Sequence, residues 1–165
     1  MGTEIERKYL CKVVGNSTGR ALKVDQRYLI ATKAWETRVR SIDDRCYITV
    51  KTGSGFVRGE WELPIPRWIF RLLGSLAPWR IEKARYRTGP WEVDIYPDLP
   101  GFAVAEVELA SQLVQVPKIP EWLEILEDIT LDSRWKNKEI ARKGLPEISR
   151  DMERSGRVEN GTNAE

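Results

Sequence analysis

The strongest constraint on the fold is an alternation of charged and apolar residues, with a period of two, along most of the chain. Successive side chains of a β-strand point to opposite faces, so this alternation predicts strands with one charged and one apolar face. Eight segments follow the pattern, and they are residues 3–11, 25–31, 36–42, 45–52, 57–65, 80–88, 91–97 and 102–110. Turn-forming pairs such as Asp43-Asp44 and Gly89-Pro90 separate neighbouring segments, which favours antiparallel hairpins.

Three other segments are predicted to be helical from their flanking prolines and glycines, and they are residues 67–76, 121–128 and 136–144. The polar residues 147–165 predict a short exposed helix that leads into a tail. The predicted fold class is therefore α+β, with an eight-stranded antiparallel β-barrel that forms a tunnel and helices packed outside it. A mixed α+β sheet with one open face is the alternative. We expect one domain at residues 1–146 and a polar C-terminal tail at 147–165.

Charge and composition narrow the classes of function. Of the 165 residues 32% are charged and 41% are hydrophobic, and 27 basic residues against 25 acidic ones give a net charge of +2. This near balance argues against a dedicated nucleic-acid-binding protein, so no nucleic-acid partner is expected. The chain contains no histidine, which removes the commonest general base and transition-metal ligand. A bound metal would need carboxylate ligands, which suit Mg²⁺, Mn²⁺ or Ca²⁺.

The cysteines, the N-terminal residues and the lengths of the apolar runs bear on the cellular location. Cys11 and Cys46 form no metal-binding spacing and are expected to be free thiols. The N-terminus lacks the basic and apolar regions of a secretory signal, and no apolar run approaches the roughly 20 residues of a membrane span. We therefore expect a cytoplasmic protein without a membrane partner.

The charged faces of the predicted strands are segregated by sign. Several strands carry only acids on this face, namely Glu60 and Glu62, Glu92 and Asp94, and Glu106 and Glu108. Others carry only bases, namely Arg38 and Arg40, and Lys83, Arg85 and Arg87, with Lys51 alone on its strand. The first strand carries Glu4, Glu6 and Lys8.

An ordinary antiparallel sheet also has a core face and a wet face, so alternation alone does not indicate a site. Paired like charges repel each other unless an opposite charge lies between them, and such pairs recur on five strands. Opposed acidic and basic sectors are suited to an anion and its metal ions. A triphosphate needs arginines and lysines along its length, and its hydrolysis needs a divalent cation. The chain has no GxxxxGK[ST] loop, so it is not a P-loop nucleotide binder.

The motifs of the chain resemble those of the CYTH superfamily, also called the triphosphate tunnel metalloenzymes. "EIERK" is similar to the ExExK signature of this family, and the later motifs occur in the order of the family. They are "TRVR" at 37–40, "TVK" at 49–51, "GEWELPIP" at 59–66, "IEKARYR" at 81–87, "WEVDIY" at 91–96, "AEVEL" at 105–109 and "DITLDSRWKNKEIA" at 128–141.

The resemblance implies a fold, an activity and roles for individual residues. It implies an eight-stranded tunnel in which triphosphate is bound by Lys8, Arg38, Arg40, Lys51, Lys83, Arg85 and, by continuity, Arg87. It implies that Mg²⁺ or Mn²⁺ is held by Glu4, Glu6, Glu60, Glu62, Asp94, Glu106 and Glu108. It also suggests a lysine–tyrosine pair as the general base, for which Lys8 and Tyr28 are the candidates here. Packing of Tyr28 in its strand and metal-activated water without a dedicated base stay open.

The substrate expected from the short loops is inorganic triphosphate, hydrolysed to diphosphate and phosphate by a monomer or a homodimer. The family also contains class IV adenylyl cyclases and thiamine and RNA triphosphatases, so a cyclase or an organic triphosphatase with the same tunnel is an alternative. A non-catalytic polyphosphate-binding module is another.

Overall fold

The nine strands in the described part of the chain form one antiparallel sheet. The computed structural model describes residues 5–53, 59–111 and 113–148. The strands are β1 (Ile5–Val13), β2 (Leu22–Ala31), β3 (Trp35–Ile42), β4 (Arg45–Thr52), β5 (Gly59–Ile65), β6 (Trp79–Thr88), β7 (Trp91–Ile95), β8 (Phe102–Leu109) and β9 (Leu123–Asp128). The helices are α1 (Arg67–Ser75) and α2 (Asn137–Lys143). Within the described ranges no helix is long and apolar enough to cross a membrane.

The order of the strands across the sheet is β5-β4-β3-β2-β6-β7-β8-β1-β9, and the ladders described between neighbours are all antiparallel. β5 and β9 are the two ends of this order. The sheet is concave, because side chains from all of β1 to β8 line the same cavity. The predicted α+β fold class, an antiparallel sheet with helices, is confirmed, but the described sheet has nine strands in place of the predicted eight, and no ladder is described between its end strands β5 and β9.

The outer face of the sheet is apolar and is covered in two places. α1 packs over β2, β3 and β4, where Phe70 lies in a cluster with Val39 and Cys46. On the other side, Trp122 and Leu123 cover the outward residues of β1, β7 and β8, including the fully buried Val93. Burial of these large side chains is the main force that holds the sheet in its curved form.

The inner face changes character along the strands. Leu10, Tyr28, Ile81 and Val104 have the same strand parity as the charged residues, yet they belong to a buried apolar cluster. Trp135 and Ile140 of the C-terminal segment pack into this cluster. α2 therefore covers the apolar end of the inner face and forms a floor, while α1 lies outside the sheet.

The predicted helix at residues 121–128 is wrong, because this segment forms strand β9 against β1. The register between the two strands shifts between Leu10 and Cys11, as in a β-bulge. The bulge breaks the strict alternation, so that Ile125 lies opposite outward-facing Cys11 while Leu126 packs against the inner cluster. A helical period and a bulged strand are hard to separate over so short a segment.

The other predicted elements agree with the structure to within a few residues. The helices predicted at 67–76 and 136–144 are observed as α1 and α2. The predicted strand starts at residues 3 and 57 lie outside the described residues. The expected domain boundary at residue 146 stays a prediction; residues 147 and 148 lie in no helix, and the rest of the expected tail is outside the described residues.

Candidate functional site

A cavity of about 540 Å³ occupies the concave side of the sheet. Side chains from eight strands and the first residues of α2 line it. Among the described residues, nine cationic and seven carboxylate side chains contribute to its wall, with only Val24 as an aliphatic residue and Tyr28 as an aromatic one. The cavity is therefore suited to a small, highly charged ligand rather than to an apolar one.

All the predicted substrate-binding residues lie in this cavity, namely Lys8, Arg38, Arg40, Lys51, Lys83, Arg85 and Arg87. Five of the predicted metal ligands also line it, namely Glu6, Glu60, Glu62, Glu106 and Glu108. Glu4 lies outside the described residues. Asp94 does not line the cavity. Strand parity thus brings together residues that are far apart in the chain, such as Glu6 and Glu108.

Cations and carboxylates in the wall neutralise each other, both within one strand and between strands. Arg40 donates to Glu62 over 2.8 Å, and Lys51 lies 2.9 Å from Glu60. Lys8 lies 2.7 Å from Glu106 and 3.1 Å from Glu6. These pairs hold the long side chains in place and keep the cavity compatible with folding while it contains no ligand.

Two arginines keep donor capacity in spite of these pairs. Within the described part of the chain, the Nε atoms of Arg38 and Arg40 are buried and have no hydrogen-bond partner. Burial lowers the pKa of Arg40 from its ordinary value, and the positive charge of Arg38 adds to this effect. A buried guanidinium N–H without an acceptor is unfavourable, so an anion beside β3 would be stabilised by both groups.

Carboxylates are crowded on the opposite side of the cavity. Glu6 of β1 is the direct cross-strand neighbour of Glu108 of β8, and Glu92 of β7 is the neighbour of Glu106. Like charges at such positions repel each other unless a cation lies between them. Their oxygen atoms are the ligand type that Mg²⁺ and Mn²⁺ prefer, so the donor set fits a hard divalent cation. The described residues contain no preformed group of three acidic, histidine or cysteine ligands.

Asp94 lies beneath the wall rather than in it. Its carboxylate is fully buried and accepts from Nε and Nη2 of Arg85, each over 2.7 Å, and also from Nζ of Lys83. Burial alone would raise the pKa of Asp94, but Lys83 and Arg85 outweigh it and lower the pKa to about 2. With its oxygens engaged by two cations, Asp94 is placed to position Arg85 and Lys83.

Lys8 and Tyr28, the candidate general-base pair, have different hydrogen-bond and ion-pair partners. Burial opposes the charge of Lys8, but Glu106 and Glu6 outweigh this and raise its pKa. Burial raises the pKa of Tyr28 well above its ordinary value, against the opposing effect of Arg38. Tyr28 accepts a hydrogen bond from Gln26, whereas the ion pairs of Lys8 are with Glu6 and Glu106. Both groups thus hold their protons near neutral pH in this arrangement, and the role of Lys8 and Tyr28 as a base pair stays a prediction.

Seven residues that line the cavity were not among the predicted site residues, namely Val24, Gln26, Glu36, Glu92, Lys136, Asn137 and Lys138. Glu36 lies on β3 beside Arg38, with a distance of 3.4 Å between Oε1 and Nη1. Lys136, Asn137 and Lys138 extend into the cavity from the start of α2. Asn137 accepts hydrogen bonds from Lys83 over 3.1 Å and from Tyr96 over 2.9 Å. A signal was available, because lysines at the start of a helix are disfavoured by its dipole unless they serve another purpose.

Comparisons with known proteins agree with this geometry, although no family model matches the chain. The chain is 34% identical over 155 residues to an inorganic triphosphatase of Acetivibrio thermocellus, which covers 86% of this chain and 95% of the relative. It is 32% identical over 149 residues to an inorganic triphosphatase of Nitrosomonas europaea, covering 84% and 97% of the two chains. The crystal structure of the inorganic triphosphatase NE1496 superposes with a TM-score of 0.59 at 30% identity, covering 86% of this chain and 95% of that one.

Proposed function

Because the chain belongs to the triphosphate tunnel metalloenzyme family, the CYTH superfamily, we propose that it hydrolyses inorganic triphosphate to diphosphate and phosphate in the charged cavity. Triphosphate hydrolysis is the activity named for both curated relatives. The observation that carries the proposal is the wall of Arg38 and Arg40, whose buried Nε atoms have no acceptor within the described residues.

The balance of charge in the cavity supports a triphosphate with a metal ion. The nine cations exceed the seven carboxylates by two. A triphosphate carries about four negative charges near neutral pH, and enzymes that act on one neutralise the remainder with divalent cations. One divalent ion bound together with triphosphate would bring the occupied cavity close to neutrality.

The lining favours an inorganic substrate over an organic one. Recognition of a nucleobase or a thiazolium ring needs an aromatic or apolar surface on which the ring can stack. None of the tryptophans at positions 35, 68 and 79 is in the cavity wall. Trp68 is exposed on α1 and Trp79 lies under Arg142.

Glu6 and Glu108 are the residues we expect to hold Mg²⁺ or Mn²⁺, joined by Glu106 and by Glu4, which shares their strand face by sequence parity. Glu60 and Glu62 could complete a second site on the other side of the cavity. A divalent ion bound at such carboxylates would offset developing charge on phosphate oxygens and lower the pKa of bound water. This supply of hydroxide suits a chain without histidine.

Other residues of the cavity would bind and orient the triphosphate. Arg38 and Arg40 would bind and orient the phosphates with bidentate contacts, and Lys51 would extend this surface onto β4. Asp94 would hold Arg85 at a fixed angle. Tyr28, protonated and at the apolar end of the inner face, would donate a hydrogen bond to a phosphate oxygen rather than accept a proton.

A substrate panel tests this proposal. The protein would be incubated with Mg²⁺ or Mn²⁺ and inorganic triphosphate, ATP or thiamine triphosphate, and phosphate and diphosphate would be measured separately. We expect equal amounts of the two products from inorganic triphosphate, faster turnover than with the organic substrates, and loss of turnover when the metal is chelated.

Two results of the panel would overturn the proposal. Diphosphate with a cyclic nucleotide from ATP would identify a cyclase. Tight binding of triphosphate without turnover under any divalent metal would identify a binding module. Neither result needs a separate control for folding. Formation of a product in the first case, and binding of triphosphate in the second, each show that the cavity is intact.

A further inference from the structure

Lys83 is buried and yet lines the cavity, so the direction of its ammonium group decides what it can bind. An ammonium group has three N–H donors and no acceptor. Within the described part of the chain, Nζ of Lys83 donates to Asp94 and, over 3.1 Å, to Oδ1 of Asn137. Two of the three donors are engaged in this way, which leaves one donor for a ligand in the cavity.

The orientation of the Asn137 amide is fixed by its two partners. Oδ1 of Asn137 accepts from Lys83 and, over 2.9 Å, from the hydroxyl of Tyr96. A lysine ammonium can only donate, so the oxygen of the amide rather than its nitrogen must face Lys83. The buried ring of Tyr96 has its centroid 5.7 Å from Nζ of Lys83. Asn137 and Tyr96 therefore confine the ammonium group together.

The place of this amide is set by α2, of which Asn137 is the first residue. Ile140 anchors the helix in the inner apolar cluster, and Nζ of Lys138 donates to the carbonyl of Thr32 over 2.9 Å. Asp94, the other partner of Lys83, belongs to β7. Lysine has a flexible four-carbon stem, so two anchors on separate elements restrict its ammonium group more than one anchor does.

A neutral acceptor suits the position of Asn137 better than a second carboxylate would. Asp94 already opposes the charge of Lys83, although it shares its oxygens with Arg85. Another carboxylate at this position would cancel positive charge that a phosphate oxygen needs for a charge-assisted hydrogen bond. An amide oxygen orients the ammonium group without adding negative charge beside the ligand.

We propose that Asn137 is a positioning residue for Lys83, and that it directs the remaining N–H of Lys83 toward a phosphate oxygen of triphosphate. Binding by this lysine then depends on the packing of α2 against the sheet. The inference rests on the proposed function, since it takes triphosphate as the ligand of the cavity.

A double-mutant cycle between Asn137→Leu and Lys83→Met tests the inference. For each protein, kcat/KM with Mg²⁺ and triphosphate would be measured, and the Kd of triphosphate for the metal-free protein would be measured by calorimetry. Loss of the acceptor lets the ammonium group move, so Asn137→Leu should lower kcat/KM and raise Kd, each by roughly 10-fold. In the Lys83→Met background the same change should alter neither quantity by more than about twofold, because no ammonium group is left to position.

Asn16→Leu is the matched control, because it makes the same exchange in an exposed loop, and it should change neither quantity in either background. Circular dichroism reports whether each variant is folded, and Asn137→Ala takes the place of Asn137→Leu if the latter does not fold.

Equal losses from Asn137→Leu in the two backgrounds would assign Asn137 a purely structural role and would overturn the inference. So would a folded Asn137→Leu with the kcat/KM and Kd of the wild-type protein. A wild-type protein that binds triphosphate without hydrolysing it would overturn the proposed function alone, since the cycle is then read from Kd. A wild-type protein that neither binds nor hydrolyses triphosphate would overturn both.

Discussion

At the scale of single residues, the cavity depends on charges that are held by other charges. The buried carboxylate of Asp94 accepts from both Arg85 and Lys83, and the hydroxyl of Tyr96 joins this network through Asn137. Such a network is favourable only while every member is present. Arg85 is thereby fixed in the cavity wall with its pKa raised above the ordinary value, since Asp94 outweighs the effect of burial.

Replacing Asp94 with asparagine should therefore harm both stability and turnover. Removal of one partner from a buried ion pair leaves uncompensated charge and costs about 3 kcal/mol or more. We expect Asp94→Asn to unfold at lower urea concentration than the wild-type protein and to have lower turnover at temperatures where it is folded. Asp98→Asn, in the exposed turn after β7, is the matched control and should change neither quantity.

The difference in unfolding free energy between wild-type protein and Asp94→Asn should become smaller as the pH falls. The pKa of Asp94 is lowered from 3.8 to about 2 in the folded protein, so its ionised form stabilises the fold above pH 4. That contribution, on the order of 2 kcal/mol, is lost as the pH falls from about 4 to about 2. The gap in unfolding free energy between wild-type protein and Asp94→Asn should narrow over this window. A gap that is constant from pH 7 to pH 2 would contradict the assignment.

At the scale of elements, α2 determines where the cavity ends. It covers the apolar end of the inner face through Ile140, and its first residues supply Lys136, Asn137 and Lys138 to the wall. The helix stops at Gly144, which has φ +83° and ψ 176°, a backbone conformation that is essentially restricted to glycine. The way in which α2 ends therefore depends on this one residue.

Gly144→Ala tests that dependence. A Cβ at residue 144 would meet no atom within 4 Å, so any effect comes from backbone strain alone. We expect a loss of about 1–3 kcal/mol in the free energy of unfolding, measured by urea denaturation. Gly15→Ala is the control, since its Cβ would make an ordinary contact of 3.4 Å with Trp122 and its φ is not positive. Equal stability of the two variants would rule out strain at the end of α2.

Elements were predictable from the sequence where alternation is strict. In β3, for example, Glu36, Arg38 and Arg40 alternate with Val39 and its neighbours, and this alternation predicts a strand. It also predicts that the three charged side chains share one face, and all three line the cavity. β9 was not predictable, because its bulge opposite Leu10 and Cys11 disrupts the period. The burial of Asp94 beneath the cavity wall was not predictable either. Strand parity shows which face of the sheet a side chain is on, but it does not show whether neighbouring side chains cover it.

At the scale of the whole molecule, the fold separates two tasks between the faces of one sheet. The outer face supplies the apolar burial that a 165-residue chain needs, through α1 and the residues around Trp122. One end of the inner face carries the charged residues of the cavity wall. The other end is covered by Trp135 and Ile140. Charged residues that would be costly in a core are thereby concentrated around one cavity.

The most direct test of the central claim is ³¹P NMR of inorganic triphosphate incubated with Mg²⁺ and either wild-type protein, Arg40→Ala or Arg20→Ala. Arg40 contributes to the cavity a guanidinium whose Nε is buried without a hydrogen-bond partner among the described residues, whereas Arg20 is 79% exposed and pairs with Asp43. We predict diphosphate and phosphate in equal amounts from the wild-type protein and from Arg20→Ala, and at least a 100-fold loss of rate in a folded Arg40→Ala. Unchanged hydrolysis by Arg40→Ala would contradict the account.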